Sequence, residues 1–300
     1  MLVTMKEILD RASAGNYGVP APNVGGEREA RAAIEAAEEM SAPLIIDVSA
    51  RAHPDIAFLG SYLTLLAQQC TVPIAINLDH GNAREDLRFK DPMQAFQAGF
   101  TSIMIDRSTW PYEKNVEEVR RFTELAHAVG ISVEAELGHV GLGSNYAEDA
   151  RTGLTDPEMA KRFIEETGID CLAVAIGTAH GAYAGTPRLD FDRLTAIKKT
   201  TGHFPLVLHG GSGTGDENLK KACQLGINKV NMSNELLGAA SRAVQQADLS
   251  GNNAYNVWKI LVGAWKERLL FHFENCGCAG KAWRASPRGL GTAEVTFSEE

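Results

Sequence analysis

Residues 73–81 read PIAINLDHG, an apolar run typical of a buried strand that ends in aspartate, histidine and glycine. The same arrangement recurs at 173–181, AVAIGTAHG, and at 205–211, PLVLHGG. In each stretch a histidine followed at once by glycine ends the run, and these histidines are His80, His180 and His209. One such histidine is commonplace, whereas three at strand ends suggest imidazoles that converge on one point. Three neutral imidazoles with an open fourth position are a ligand set of catalytic zinc or a similar divalent ion.

The segments around these stretches alternate between strand-like and helix-like patterns. Most predicted strands are continuous apolar runs, which indicates burial of both faces and therefore a parallel sheet. The eight predicted strands span 17–24, 43–49, 73–79, 101–106, 131–137, 170–177, 205–209 and 229–233. Eight strands alternating with eight helices in about 250 residues match the size of a TIM barrel. A doubly wound open sheet is the weaker alternative, because the polar strand ends would not all converge there.

The fold class predicted from this pattern is α/β, a (β/α)8 TIM barrel. An extra helix at 4–14 precedes the barrel, and a helical extension at 254–273 follows it. We predict a single domain over residues 1–285 and a flexible tail over residues 286–300. The long glycine-containing loop at 138–155 is predicted to be a mobile lid.

The composition indicates a soluble globular protein with a sizeable core, since 44% of the 300 residues are hydrophobic and 22% are charged. The net charge of −9 argues against a nucleic acid or an acidic membrane as partner. No apolar run approaches the ~20 residues needed to span a bilayer. The N-terminus lacks the apolar core of a signal peptide. The five cysteines show no metal or redox spacing, so we expect a cytoplasmic protein with reduced thiols.

Carboxylates accompany the histidines at the predicted strand ends, which in a barrel meet at the face that carries the active site. Asp79 directly precedes His80, so it is a candidate acid or base near the metal, with a structural role as the alternative. Glu136 is a candidate metal ligand or an orienter of a histidine. Asp106 and Glu134 are candidate partners of the metal ligands, and a purely structural role carries equal weight.

Two loops of small and polar residues follow the seventh and eighth predicted strands. They read GGSG at 210–213 and NMSN at 231–234. In barrels the loops at these positions often bind phosphate through backbone N–H groups and hydroxyls. Neither loop matches the nucleotide P-loop, and no dinucleotide fingerprint follows the first strand, which counts against an ATP or NAD enzyme.

Together these motifs resemble those of the class II, metal-dependent fructose- and tagatose-bisphosphate aldolases, and especially the tagatose-bisphosphate branch. The matching motifs are NLDHG (77–81), SIMIDRS (102–108), VEAELG (133–138), LAVAIGTAHGAY (172–183), PLVLHGGSG (205–213), KVNMSNEL (229–236) and NCGCAGKA (275–282). The resemblance implies a cytoplasmic TIM-barrel lyase that forms a homodimer or homotetramer. Its implied reaction is reversible cleavage of a ketose 1,6-bisphosphate, of tagatose or fructose type, to dihydroxyacetone phosphate and an aldehyde such as glyceraldehyde 3-phosphate.

The resemblance also implies roles for individual residues. It implies that Zn2+, or another divalent ion, is bound by His80, His180 and His209, that Glu136 can replace a ligand, and that a monovalent cation is a further candidate. Asp79 is then the proton donor and acceptor at the C4 hydroxyl of the substrate. Either of two loop residues, Glu148 or Asp149, corresponds to the carboxylate that moves the proton at the enolising carbon.

The substrate contacts follow from the same resemblance. Ser49 matches the position that reaches the far phosphate, and Arg51 matches an arginine that some relatives use for a distal anionic group. The residues implied for the rest of the substrate are Asn23, Gly181, Gly211, Ser212, Asn231, Ser233 and Asn234. Departures from the family pattern occur on the dihydroxyacetone phosphate side. They are Ala182, where many members have lysine, Ser233, where aspartate or alanine is usual, and Asn234, where threonine is common.

Two alternatives to this reaction stay open at the level of sequence. The first is an aldolase for a related anionic ketose phosphate, such as a sulfo- or deoxy-keto sugar phosphate. The second is a non-catalytic subunit that binds a sugar phosphate. The presence of Asp79 together with the three histidines favours an enzyme, because a binding protein needs no acid or base.

Overall fold

The computed structural model of the protein describes residues 1–49, 53, 55–81, 89–140, 153–181, 183 and 187–283. At its centre lie eight strands: β1 (Val19–Pro22), β2 (Leu44–Ser49), β3 (Ile74–Gly81), β4 (Ser102–Ile105), β5 (Ser132–Leu137), β6 (Cys171–Val174), β7 (Leu206–Leu208) and β8 (Ile227–Met232). All neighbouring pairs are parallel, in the order β1-β8-β7-β6-β5-β4-β3-β2. This order follows the chain around a ring, which is the topology of the predicted barrel.

The ring closes between its two end strands, β1 and β2. Directly after β1, Asn23 forms a parallel bridge with Asp47 of β2. The N–H of Val24 donates to the carbonyl of Asp47 at 2.9 Å. The predicted (β/α)8 barrel is therefore confirmed, and the open doubly wound sheet is excluded.

Helices cover the outside of the barrel. They are α1 (Met5–Gly15), α2 (Glu27–Glu39), α3 (Ile56–Gln69), α4 (Lys90–Gln97), α5 (Tyr112–Ala128), α6 (Pro157–Thr167), α7 (Phe191–Thr200), α8 (Asp216–Gln224), α9 (Asn234–Gln246) and α10 (Val257–Asn275). The predicted N-terminal helix and C-terminal extension are α1 and α10. Within the described ranges, no helix has both the length and the apolar character required to cross a bilayer.

The helix starts follow the capping chemistry of the sequence. The hydroxyl of Thr4 accepts from the N–H of Glu7 at 3.2 Å at the start of α1. Helix α6 begins with Pro157, and the carboxylate of Asp156 accepts from the N–H groups of its next two residues at 3.0 Å. These side chains satisfy donors that a helix leaves unpaired at its N-terminus, and proline costs no hydrogen bond at that position.

The C-terminal helix α10 packs against α2 and α9. It buries Trp265, Leu269 and Phe273, which recur every four residues and therefore lie on one face. On the same helix, the ammonium group of Lys266 lies 3.4 Å from Glu35 and 3.2 Å from Glu39 of α2. The extension is thus packed into the outer wall of the barrel.

The interior of the barrel contains charged residues as well as apolar ones. The ammonium group of Lys229 on β8 is fully buried and lies 2.9 Å from Glu134 of β5 and 3.1 Å from Asp47 of β2. It also donates to the side-chain oxygen of Asn231 at 2.8 Å. Burial raises the pKa of Asp47 to about 7, although Lys229 opposes the shift. Burial likewise favours the neutral form of Glu134, but the charge of Lys229 and contacts with His209 outweigh it and lower the pKa.

We expect Lys229→Met to lower the free energy of unfolding by about 3–5 kcal/mol, because it leaves buried carboxylates without a counter-charge. Urea unfolding followed by circular dichroism measures the change. The control is Lys199→Met on α7, where the side chain is exposed and the expected change is within about 0.5 kcal/mol. Equal midpoints for the two variants would show that the buried ion pair contributes nothing to stability.

Candidate active site

The end of β3 contains a bulge that brings two neighbouring residues to the same site. Successive side chains of a regular strand point to opposite faces. Here the register with β4 shifts between Leu78 and Gly81, and His80 takes a left-handed conformation with φ of 50°. A bulge of this kind re-aims side chains. As a result Asp79 and His80 lie side by side at the barrel mouth, with Nε2 of His80 3.9 Å from Oδ1 of Asp79.

The three strand-end histidines converge at this mouth. The ring centroid of His80 lies 4.9 Å from that of His180 and 4.7 Å from that of His209, and the other two centroids are 5.7 Å apart. Each ring offers one nitrogen to a group whose ligand atoms all lie within 4.8 Å of one another. The structure therefore brings together the residues that the sequence singled out as metal ligands.

The outer nitrogens of two of these rings contact carboxylates. Nδ1 of His80 lies 2.9 Å from Asp106, and Nε2 of His209 lies 2.8 Å from Glu134. Because ionised carboxylates only accept hydrogen bonds, these outer nitrogens carry protons, and each inner nitrogen is left to bind a proton or a metal ion. The inner nitrogens of His80 and His209 face each other at 3.0 Å. Two nitrogens at this separation share either a proton or a cation, and together with His180 they form a donor set that fits a divalent ion of the zinc type.

The charge around the histidines also favours a cation. Burial alone would lower the pKa of His80, but the carboxylates of Asp79 and Asp106 outweigh it and raise the pKa to about 10. Burial lowers the pKa of His180 to about 3, helped by the neighbouring histidines, so its ring is neutral at physiological pH. The pKa of Asp106 is well below its usual range, because contacts with His80 and Ser108 outweigh burial.

Glu136 lies beside the histidines with one oxygen unused. Its Oε1 accepts from the N–H of Val140 at 3.1 Å. Its Oε2 is buried, has no hydrogen-bond partner among the described residues, and lies 3.6 Å from Nδ1 of His209. Burial raises the pKa of this carboxyl group. The sequence left open a ligand or an orienting role, and the geometry places a free oxygen next to the histidine cluster.

Asp79 of β3 is held by two amides from the other side of the ring closure, one on β8 and one directly after β1. Its Oδ1 accepts from Asn231 at 3.0 Å, and its Oδ2 accepts from Asn23 at 3.2 Å. Burial would raise the pKa of Asp79, but the charges of His80, His209 and Lys229 outweigh it and lower the pKa to about 2. The carboxylate is therefore ionised, and the two asparagines that the sequence assigned to substrate also position Asp79.

A cleft of about 230 Å³ opens beside Asp79. It is lined by Asn23, Asp79, His180, Gly181, Gly210, Ser212, Asn231, Met232, Ser233 and Asn234. Helix α9 begins here, and its first turn has no capping side chain of its own. Instead the hydroxyl of Ser212 accepts from the N–H groups of Ser233 at 3.3 Å and Glu235 at 3.2 Å. The N-terminus of a helix carries the positive end of the helix dipole and is therefore a favourable position for an anion.

The remaining predicted substrate residues lie near this cleft or outside the described residues. Gly211 packs against Val230 and the backbone of Asn231, and Ser49 is the β2 residue in register with Asp79. Neither of them lines the cleft. Four further predictions concern residues outside the described part of the chain, namely Arg51, Glu148, Asp149 and Ala182. The loop expected to be a lid is described only at its ends, where the N–H of His139 donates to the carbonyl of Gly153 at 3.0 Å.

Two residues that support the site were missed by the sequence analysis. Lys229 joins Glu134 to Asn231, and its only sequence signal is a lysine inside an apolar strand, two positions before an asparagine. The hydroxyl of Tyr183 accepts from the N–H of Ala179 at 2.6 Å and donates to the carbonyl of Gly210 at 2.9 Å. It therefore links the residue before His180 to the residue after His209, and no sequence pattern indicates this contact.

Two of the glycines that follow the histidines, Gly81 and Gly210, allow neighbouring backbone segments to pack closely. Gly210 has a φ of 65°, and a Cβ there would lie 2.3 Å from the carbonyl oxygen of Ala179. A Cβ on Gly81 would lie 2.7 Å from the carbonyl oxygen of Met104. Since real Cβ atoms do not approach so closely, glycine at these positions lets the histidine-bearing segments meet.

The chain is similar to known proteins over nearly its whole length. The family described as class-II fructose-bisphosphate aldolase matches residues 3–281. A fructose-bisphosphate aldolase of Geobacillus stearothermophilus is 38% identical over 292 residues, which cover 94% of this chain and 99% of that protein.

Solved structures of aldolases are also similar to this chain over nearly its whole length. The YdjI aldolase of Escherichia coli K12 superposes with a TM-score of 0.82 at 32% identity and covers 94% of this chain and 100% of its own. The fructose-bisphosphate aldolase of Campylobacter jejuni has the same fold, with a TM-score of 0.75 at 23% identity over 93% of this chain and 96% of its own. The chain therefore belongs to the class II fructose-bisphosphate aldolase family and is an aldolase, a lyase of carbohydrate metabolism.

Proposed function

We propose that this aldolase reversibly cleaves a ketose 1,6-bisphosphate, of tagatose or fructose type, to dihydroxyacetone phosphate and an aldehyde such as glyceraldehyde 3-phosphate. The observation that carries the proposal is the position of the ionised Asp79. It lies between a cluster of three imidazoles and a cleft at a helix N-terminus. A cation site, a base and an anion site in contact with one another are what such a reaction requires.

The residues that would hold the metal are His80, His180 and His209. The inward lone pairs of His80 and His209 suit zinc or another divalent ion, and Oε2 of Glu136 offers a replacement ligand. When bound, the ion supplies a Lewis acid that polarises the ketone and stabilises negative charge on its oxygen. Asp106 and Glu134 hold the rings of His80 and His209 in the orientation that presents these lone pairs.

Asp79 is proposed to accept the proton of the C4 hydroxyl while the bond between C3 and C4 breaks, and to return it in the synthetic direction. Its low pKa keeps the carboxylate ionised, as a proton acceptor must be. The amides of Asn23 and Asn231 fix the plane of the carboxylate. Because Asp79 adjoins a metal ligand in the chain, the acceptor and the polarised ketone are close together.

The phosphate of the dihydroxyacetone moiety is proposed to occupy the cleft. Gly181, Ser212, Ser233 and Asn234 line it, and the N-terminus of α9 contributes the positive end of its helix dipole. Gly211 lies beside this group of residues. In this arrangement backbone N–H groups and hydroxyls replace the lysine that many relatives have at the position of Ala182.

The proposal retains Ser49 and Arg51 for the far anion and Glu148 or Asp149 for the proton at the enolising carbon. A homodimer or homotetramer is also part of it. Whether the sugar is of tagatose or fructose type depends on one stereocentre. A retro-aldol assay with tagatose and fructose 1,6-bisphosphates, the corresponding 1-phosphates and a sulfonate analogue separates these substrates.

Removal of any one histidine ligand is expected to remove bound zinc and activity. We predict this for His80→Ala, His180→Ala and His209→Ala, with unchanged circular dichroism, since these side chains lie at or beyond the C-terminal ends of β3, β6 and β7. Elemental analysis measures the bound zinc, and the retro-aldol assay measures the activity. The control is His203→Asn, an exposed residue before β7. Full activity after exhaustive EDTA dialysis, with the metal shown to be absent, would contradict the proposal.

Asp106→Asn is expected to weaken zinc binding by about 10- to 100-fold, the usual effect of losing a carboxylate that orients a histidine ligand. Competition with a chromogenic chelator measures the affinity. Asp10→Asn is the matched control, because that carboxylate lies on α1 and pairs with Lys6. If both variants bind zinc like the wild type, Asp106 has a structural role.

Asp79→Ala is expected to retain zinc and to lose at least ~10²-fold in kcat, the scale of general acid–base catalysis. Steady-state kinetics on the zinc-loaded variant measure the loss. Near-normal turnover would assign the proton transfer to another group, and Glu148 and Asp149 would be the first to test.

A further inference from the structure

A second cluster of charged side chains lies apart from the three histidines. Asp216, Glu235 and His272 place ligand-type atoms within 4.8 Å of one another. Arg268 occupies the same cluster. Its Nε donates to Glu235 at 2.7 Å, and its Nη2 donates to both Glu235 and Asp216. The guanidinium group thus supplies the positive charge that the two carboxylates need, and the cluster is an ion-pair network instead of a metal site.

The network joins three helices. Asp216 is the first residue of α8, Glu235 is the second residue of α9, and Arg268 and His272 lie one turn apart on α10. Nε2 of His272 lies 3.0 Å from Glu235. Asn275, also on α10, donates to the backbone carbonyl of Asp216 at 2.9 Å. The C-terminal helix therefore connects the first turns of the two helices that follow β7 and β8.

The segments that lead into these two first turns line the cleft. The loop before α8 contains Gly210 and Ser212, and the segment that starts α9 contains Ser233 and Asn234, all of which line the cleft. On the cleft side, the hydroxyl of Ser212 accepts a hydrogen bond from the N–H of Glu235 at 3.2 Å. On the other side, the carboxylate of the same Glu235 is bound by Arg268. Glu235 therefore contacts both sides: its backbone N–H is bonded to Ser212 at the cleft, and its carboxylate is bonded to Arg268 of α10.

We propose that Arg268 is a positioning residue that fixes the spacing between the two loops of the phosphate cleft. The inference rests on the proposed function, because it assumes that the cleft holds the phosphate of dihydroxyacetone phosphate. A phosphate needs donors from both loops at once, so their separation determines its affinity. Asp79 and the histidines are held by other contacts, so the chemical step is independent of Arg268.

The test compares Arg268→Met with the wild type, and Lys266→Ala is the matched control. Lys266 lies on the same helix, but its partners are Glu35 and Glu39 of α2. In the synthetic direction, KM is measured for dihydroxyacetone phosphate and for glyceraldehyde 3-phosphate, and calorimetry gives the Kd of dihydroxyacetone phosphate with zinc-loaded protein. We expect Arg268→Met to raise the KM and Kd of dihydroxyacetone phosphate about tenfold, the effect of ~1.4 kcal/mol. Its kcat and the KM for the aldehyde should change less than about twofold, and Lys266→Ala should match the wild type.

Each outcome decides between the two claims. If the wild type binds dihydroxyacetone phosphate and Arg268→Met binds it equally well, the positioning role is wrong and the proposed function stands. If the wild type itself neither binds nor condenses dihydroxyacetone phosphate, the proposed function fails first. Should Arg268→Met not fold, Asp216→Asn removes the charge that Arg268 meets on α8, while Arg268 stays bound to Glu235 and Asn275 stays bound to the backbone carbonyl of position 216. Wild-type affinity in that variant overturns the inference, and a rise in Kd of threefold or more supports it.

Discussion

The ammonium group of Lys229 determines how the polar residues inside the barrel are arranged. Charges withdrawn from water must face partners, because an unpaired buried charge costs several kcal/mol. Glu134 and Asn231 turn one oxygen each toward the lysine. A remaining polar atom of each contacts the site, Glu134 at His209 and Asn231 at Asp79. One central charge therefore orients both a histidine of the cluster and the neighbouring carboxylate.

The bulge at the end of β3 fixes a distance within the site, the one between the side chains of Asp79 and His80. Asp79 and His80 are consecutive, so the distance between the carboxylate and the imidazole is limited by a single peptide unit. Loops after other strands can change length without altering it. The left-handed backbone at His80 is uncommon for a residue with a side chain. Such strain persists only where its surroundings enforce it, here the pairing of Gly81 with Ile105 of β4.

The fold and the convergence of the histidines could be predicted because they depend on local patterns. Continuous apolar strands indicate a parallel barrel, and a barrel brings every strand end to one face. Contacts across the barrel could not be predicted, since nothing in the sequence pairs Lys229 with Asp47 of another strand. The bridge made by Tyr183 depends likewise on how two loops fold. Asp106 and Glu134 lie between these cases. Asp106 directly follows β4 and Glu134 lies within β5, so the strand pattern brings both near the histidines, but which ring each contacts depends on the three-dimensional fold.

Helix α10 begins at Val257, after every strand of the barrel has been passed in chain order. A growing polypeptide emerges with its N-terminal part first. The strands that carry the histidines therefore leave the ribosome before the helix whose Arg268 joins the first turns of α8 and α9. When those strands have left the ribosome, the loops around the cleft still lack this support. Order of synthesis thus makes the helix that braces the cleft the last part of this architecture to leave the ribosome.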